Sequence, residues 1–147
     1  GEKSQVQGTL RCSCDDKNVY FLVEVLDRSL LRGDYATVYL SPDDSKSLTN
    51  GAKRIQVSMD GLKSTETYAG KWNNAEMGVE VKTYVCNDTN EDRIDNYGYI
   101  AEISVPRSSL TISSGQVLVN FSITDNKEEE AVSDVSSISR WIPVAGL

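Results

Sequence analysis

The 147-residue chain contains no histidine, and that absence removes at once the commonest general base, zinc ligand and haem ligand. A cysteine nucleophile would lack its usual activating partner for the same reason. An electron-transfer haem domain would be left with only Met59 and Met77 as soft ligands, which argues against it. Long apolar runs and low-complexity tracts are also missing, so no segment is expected to insert into a membrane. Basic residues are outnumbered, 15 against 22 acidic, and are scattered, giving a net charge of −7. That distribution lacks the electrostatic footprint of a nucleic-acid binder and favours a neutral or cationic partner.

Cysteine is scarce as well. Cys12, Cys14 and Cys86 are an odd number and cannot all pair internally. Cys12 and Cys14 alternate with Ser13 on an expected strand and share one face, so Cys86 can bridge one of them only if its strand lies alongside. The other reading is of small buried thiols in a sheet.

What remains is ordinary for one folded domain over residues 1–147, with 39% hydrophobic and 25% charged residues. The chain opens abruptly at Gly1, and it is expected to be a monomeric module joined to other domains in a longer protein. Strand signals recur between clusters of Gly, Pro, Asn, Asp and Ser, and no sustained helical period appears. The runs 5–14, 18–26, 34–41, 53–59, 65–70, 78–86, 97–105 and 116–124, with a short one near the C-terminus, predict an all-β chain. The architecture expected is a two-sheet antiparallel β-sandwich, jelly-roll-like, with little helix. "VPRSSL" predicts a single helical turn between two strands.

Alternation within the runs separates core from solvent. Ala36, Val38 and Leu40 oppose Tyr35, Thr37 and Tyr39, whose side is expected to be wet. Ile55, Val57 and Met59 oppose Arg54, Gln56 and Ser58. Val117, Val119, Phe121 and Ile123 oppose Leu118, Asn120 and Ser122. "NVYFLVEVL" is apolar on both faces apart from Glu24, the pattern of a central strand covered on both sides.

Two kinds of site deserve comparison with their simpler alternatives. Asp88, Asn90 and Asp92 alternate oxygen side chains in a way that suits calcium, although Arg93 stands where an EF-hand needs its turn glycine. A polar turn is the simpler reading, and no other cofactor is expected. Glu24 and Glu102 are the only acids well inside strands, with no nucleophile beside them, so an enzyme is not expected. The aromatics say more. Seven tyrosines and two tryptophans outnumber two phenylalanines, and such amphipathic rings stack on the C–H face of a sugar while polar neighbours bond its hydroxyls. Trp72, in the polar run "TETYAGKWNNAEMG", is either a cap on the core or a ligand-facing ring set on a turn.

In order along the chain, several segments resemble the family 9 carbohydrate-binding modules, β-sandwich modules appended to secreted bacterial glycoside hydrolases. "DDKNVYFLVEVLD" is similar to that family's D-x-x-x-L-Y-V-L-V-x-V-x-D strand, and "GDYATVYLSPDDSK" to its D-S-V-E-I-F-I-D-x-x-x-x-K. "KRIQVSMDG" is similar to x-F-R-V-N-x-x-G, "YGYIAEISVPRSSL" to G-Y-x-V-E-x-A-I-P-W-x-x-L, and "GQVLVNFSITDNKEEE" to G-x-x-I-G-F-N-x-x-V-N-D-x. The likeness runs from about residue 5 to 126, and the family's usual N-terminal lead-in is absent.

The resemblance implies a sugar held between two tryptophans over polar side chains on one exposed sheet face. The first of those tryptophans falls where this chain has Leu30, Leu31 and Arg32. The family's strand glutamate falls at Thr37, its arginine at Gln56 and its glutamine near Ser122, while Trp141 in "RWIPVAGL" matches the second tryptophan. Trp72 has no counterpart and is the spare ring. The expected function is therefore a non-catalytic module of a secreted or cell-surface bacterial protein, binding a polysaccharide or oligosaccharide through Trp72, Trp141, Tyr68, Gln56, Tyr35, Thr37, Tyr39 and Ser122. The alternative is a structural or adhesion module whose tryptophans serve the sandwich itself.

Overall fold

A computed structural model describes residues 7–26, 34–43, 48–87, 97–112, 115–124, 142–145 and 147. The strands are β1 (Gln7–Cys14), β2 (Asn18–Leu26), β3 (Tyr35–Ser41), β4 (Lys53–Ser58) and β5 (Gly61–Tyr68). They continue with β6 (Trp72–Asn74), β7 (Glu80–Asn87), β8 (Tyr97–Pro106), β9 (Gln116–Thr124) and β10 (Ile142–Ala145). Two antiparallel sheets result, one in the order β1-β2-β8-β7 and the other β10-β9-β3-β4-β5-β6. The two-sheet β-sandwich expected from the alternation is therefore present.

Its core is built from the period-2 residues that the sequence marks out. Val19, Phe21, Val23 and Val25 of β2 and Tyr99, Ala101, Ile103 and Val105 of β8 meet Ala36, Val38 and Leu40 of β3, Ile55 and Val57 of β4, and Val117 and Val119 of β9. Each fully buried Val, Leu, Ile or Phe contributes about 1.5–3 kcal/mol of apolar burial. Pro106 ends β8, and Arg107–Ser109 forms the expected single turn, a 3₁₀ turn. It is held by Ser109 Oγ donating to the Pro106 carbonyl at 2.7 Å, and Arg107 N donates to the Lys17 carbonyl at 2.9 Å. No described helix is long and apolar enough to cross a membrane.

Three expectations require correction. The first concerns which strand is covered twice. Every residue of β3 is buried, including Tyr35 at 6%, Thr37 at 1% and Tyr39 at 5% exposure. The side of β3 expected to be wet is closed because large neighbours lie over it: Trp72 packs against Tyr39 and the Lys63 ammonium sits 3.6 Å from the centre of the Tyr35 ring. In contrast β2, expected to be covered on both sides, alternates buried with partly exposed residues, and Tyr20, Leu22 and Glu24 face outward.

The second concerns Trp72, which sits on a strand rather than a turn. β5 starts earlier than the pattern suggests, and β6 returns against it with Tyr68 opposite Trp72 and Glu66 opposite Asn74. The third concerns the cysteines. Cys12 and Cys14 lie on edge strand β1 and Cys86 on the opposite edge strand β7, with β2 and β8 between them. Three strand spacings put about 14 Å between those edges, beyond the roughly 7 Å over which a disulfide can form. Cys12 is a free thiol, and burial pushes it up to about 11 although the residue as a whole keeps an exposed surface.

Candidate functional site

The hairpin β5–β6 carries the most distinctive cluster of the molecule. Its three-residue connection, 69–71, turns on Gly70, whose φ of 75° suits the absence of a Cβ. The Gly70 amide donates to Asn50 Oδ1 at 3.2 Å, while Tyr68 N donates to the Ala52 carbonyl at 2.8 Å and Gly51 N to the Tyr68 carbonyl at 2.9 Å. These bonds lock the hairpin onto the start of β4. Because Tyr68 and Trp72 are direct cross-strand partners, their rings share one face of the sheet and meet edge to face, with centroids 5.3 Å apart.

That face is the outer one. Tyr39 pairs with Arg54 and Arg54 with Glu66 across β3, β4 and β5, so all three side chains stand with Trp72 on the side away from the core. Trp72 is absent from the core cluster and is partly exposed. Its neighbours are Tyr39, at 6.2 Å between ring centres, and Arg54, whose guanidinium carbon lies 4.5 Å from the centre of the indole. Arg54 is aimed by Glu66: its Nε donates to Oε1 at 2.8 Å and its Nη2 to Oε2 at 3.0 Å, a two-pronged ion pair with little exposure on either side chain.

A polar chain continues from this pair into the middle of the sheet. Ser64 Oγ lies 3.0 Å from Gln56 Oε1 and 3.4 Å from Glu66 Oε1, and its single proton serves the closer acceptor. Gln56 Nε2 donates to Thr37 Oγ1 at 3.3 Å. Burial raises the Tyr39 phenol above its ordinary value, opposed by hydrogen bonding to Ser122 and by the charge of Arg54. The Trp72 Nε1–H is buried without a hydrogen-bond partner among the described residues, a state that costs about 1–3 kcal/mol.

Seven of the eight residues expected at the site thus fall on one sheet face. Trp72, Tyr68, Gln56 and Ser122 are partly exposed there, whereas Tyr35, Thr37 and Tyr39 are buried beneath the surface. Trp141 lies outside the described residues, as do Asp88, Asn90 and Asp92 of the expected calcium loop and Leu30, Leu31 and Arg32. Among the described residues no group of three acidic or thiol side chains is placed to hold a metal ion. Sequence reasoning missed Arg54 and Glu66 as neighbours of Trp72. The available signal was the outward parity of Arg54 beside Gln56; its contact with Trp72 depends on a hairpin that the polar run disguised.

Comparison with known proteins identifies the family of the chain. A family model described as "Carbohydrate family 9 binding domain-like" matches residues 1–144. The chain belongs to that family. This family 9 domain is 30% identical over 121 residues to an endo-1,4-beta-xylanase C of Paenibacillus barcinonensis. The match covers 82% of this chain and 10% of that protein, so the domain corresponds to a small part of the relative's length. A solved carbohydrate binding module family 9 from Caldicellulosiruptor kristjanssonii, in complex with cellotriose, matches with a TM-score of 0.62 and 16% identity, over 97% of this chain and 65% of that one. At that identity the likeness establishes the shared sandwich.

Proposed function

We propose that this family 9 domain is a non-catalytic carbohydrate-binding module of a secreted or cell-surface glycan-degrading protein, and that it binds a neutral polysaccharide or oligosaccharide over the Trp72 face. The observation that carries the reading is the placement of Trp72 on the outer side of the six-stranded sheet, with Arg54, Glu66 and Gln56 beside it. An indole edge offers apolar surface to sugar C–H groups, and the charged and amide side chains offer donors and acceptors to hydroxyls. The family and the xylanase relative support a plant-wall glycan as the ligand class. Affinity in the micromolar to millimolar range is expected, because water competes for each polar contact, and attachment to further domains would raise retention through avidity.

Affinity electrophoresis over xylan, soluble cellulose derivatives and other plant glycans tests the reading. Retardation of the wild type, lost in Trp72→Ala, is expected; unchanged mobility with every glycan would overturn it. A second reading, a structural or adhesion module, is favoured by the partial burial of Trp72 and its buried N–H. It predicts no retardation of the wild type by any glycan.

A further inference from the structure

The opposite sheet carries a feature that the Trp72 face does not explain. The outer surface of β1-β2-β8-β7 is hollowed into an open groove of about 450 Å³ that crosses all four strands. Register places its side chains in two rows. One row is Arg11, Leu22, Glu102 and Lys82; the neighbouring row runs from Ser13 through Tyr20 and Ser104 to Glu80. The groove therefore lies across the strands and spans about 14 Å from β1 to β7.

Its chemistry narrows the occupant. Two cations, Arg11 and Lys82, and two anions, Glu80 and Glu102, make its formal charge zero on a chain of net charge −7. A polyanion would meet both glutamates, and a cation both basic groups, so neither is matched. A protein partner is also a poor fit, since the buried centre of a protein interface is depleted of charged residues. Here four charged side chains flank an apolar strip whose outward side chains are Leu22 and the Tyr20 ring, both partly exposed, with Cys12, Phe21 and Ile103 lining the groove between them. A neutral, polyhydroxylated chain fits each part: C–H faces rest on Leu22 and Tyr20, while hydroxyls receive from Arg11 and Lys82 and donate to Glu80 and Glu102.

The aromatic element is also preset. The Tyr20 hydroxyl donates to Asp15 Oδ2 at 2.5 Å, and Asp15 Oδ1 accepts from the Lys17 and Asn18 amides at 2.8 and 2.7 Å. The ring is thereby fixed before any ligand arrives, which reduces the ordering cost of binding.

We infer that the groove on the four-stranded sheet is a second glycan site, independent of Trp72, which takes a single neutral oligosaccharide strand laid across β1, β2, β8 and β7. Two sites on opposite faces of one sandwich let the module engage two polysaccharide strands at once.

Amide chemical-shift mapping of the isotopically labelled chain with xylohexaose and, separately, cellohexaose tests this. Perturbations are expected at Leu22, Glu102, Lys82 and their strand neighbours, and they should persist in Trp72→Ala. They should fall by at least tenfold in affinity in Lys82→Ala/Glu102→Ala, two exposed positions whose replacement leaves the core intact and whose folding is checked by the unchanged remainder of the spectrum. Shifts confined to β4, β5 and β6 would overturn the second site and leave the Trp72 reading standing. Shifts confined to the groove would support the second site and overturn the Trp72 reading. Silence at both faces with both oligosaccharides would overturn both.

Discussion

The guanidinium of Arg54 lies 4.5 Å from the centre of the Trp72 ring while both of its prongs are held by the Glu66 carboxylate. One face of the indole is thus occupied by a cation that another side chain aims, and the ring also packs against Tyr39 in a tilted contact and against Tyr68 edge to face. Cation–π contact contributes about 0.5–2 kcal/mol, more as the pair loses water.

The ion pair gives a prediction that separates stability from binding. Glu66→Gln removes the two-pronged carboxylate from a largely buried guanidinium and should cost about 3 kcal/mol in chemical denaturation. Replacing both members, Arg54→Met with Glu66→Leu, should recover most of that loss because no lone charge remains buried. Glycan retention should nevertheless stay low in the double variant, since the hydroxyl partners beside Trp72 are gone. Recovery of retention together with stability would show that the pair only supports the sheet.

The turn between β1 and β2 responds to pH through Asp15 and Tyr20. Hydrogen bonding from Tyr20, then from the Asn18 and Lys17 amides, holds the Asp15 carboxyl below its ordinary value, while the bond to Asp15 raises the Tyr20 phenol. A lowered carboxyl contributes stability above its unfolded pKa and loses it as pH falls through the folded one. A raised phenol contributes below its unfolded pKa and loses it as pH rises through the folded one. The turn should therefore be firmest from neutral to mildly alkaline pH and loosen at both extremes. Amide exchange at Lys17 and Asn18 should show that profile, and in Asp15→Asn the acid limb should vanish.

Gly98 marks a tight passage inside the four-stranded sheet. A Cβ added there would come within 2.3 Å of the Val25 carbonyl oxygen on the neighbouring strand, a backbone atom that no rotamer change can move aside. Gly98→Ala should cost about 2 kcal/mol through forced displacement of β2 or β8. A thermal melt reads the loss; an unchanged midpoint would mean that the strand end yields freely.

The core was legible because it obeys one period. Val19, Phe21, Val23, Val25, Ile55, Val57, Val117 and Val119 all face inward as alternation demands. The outer faces were not legible, because alternation says which residues share a side and nothing about what covers it. Tyr35, Thr37 and Tyr39 look solvent-facing by pattern yet are sealed, and the two-sided apolar look of β2 conceals a groove with Tyr20 and Leu22 at its floor. The polar composition of 65–78 masked a hairpin whose register, Tyr68 to Trp72, brings the two rings together. Propensity is weak in such a segment, and packing against β4 overrides it.

Trp72 can be divided experimentally into a ring and a donor. Its ring packs on Tyr39, Tyr68 and Arg54, whereas its Nε1–H is buried without a partner among the described residues. Trp72→Phe keeps an aromatic face and deletes the unpaired donor, so the penalty of about 1–3 kcal/mol for the buried N–H disappears and offsets part of the lost packing. Its unfolding free energy should stay within about 1 kcal/mol of wild type, whereas Trp72→Ala should lose about 2–3 kcal/mol at this partly exposed position. Retardation by a glycan should follow ring size, strongest in wild type, reduced in Trp72→Phe and absent in Trp72→Ala. If Trp72→Phe loses as much stability as Trp72→Ala, the N–H has a partner in solution and the ring is held by that bond rather than by stacking.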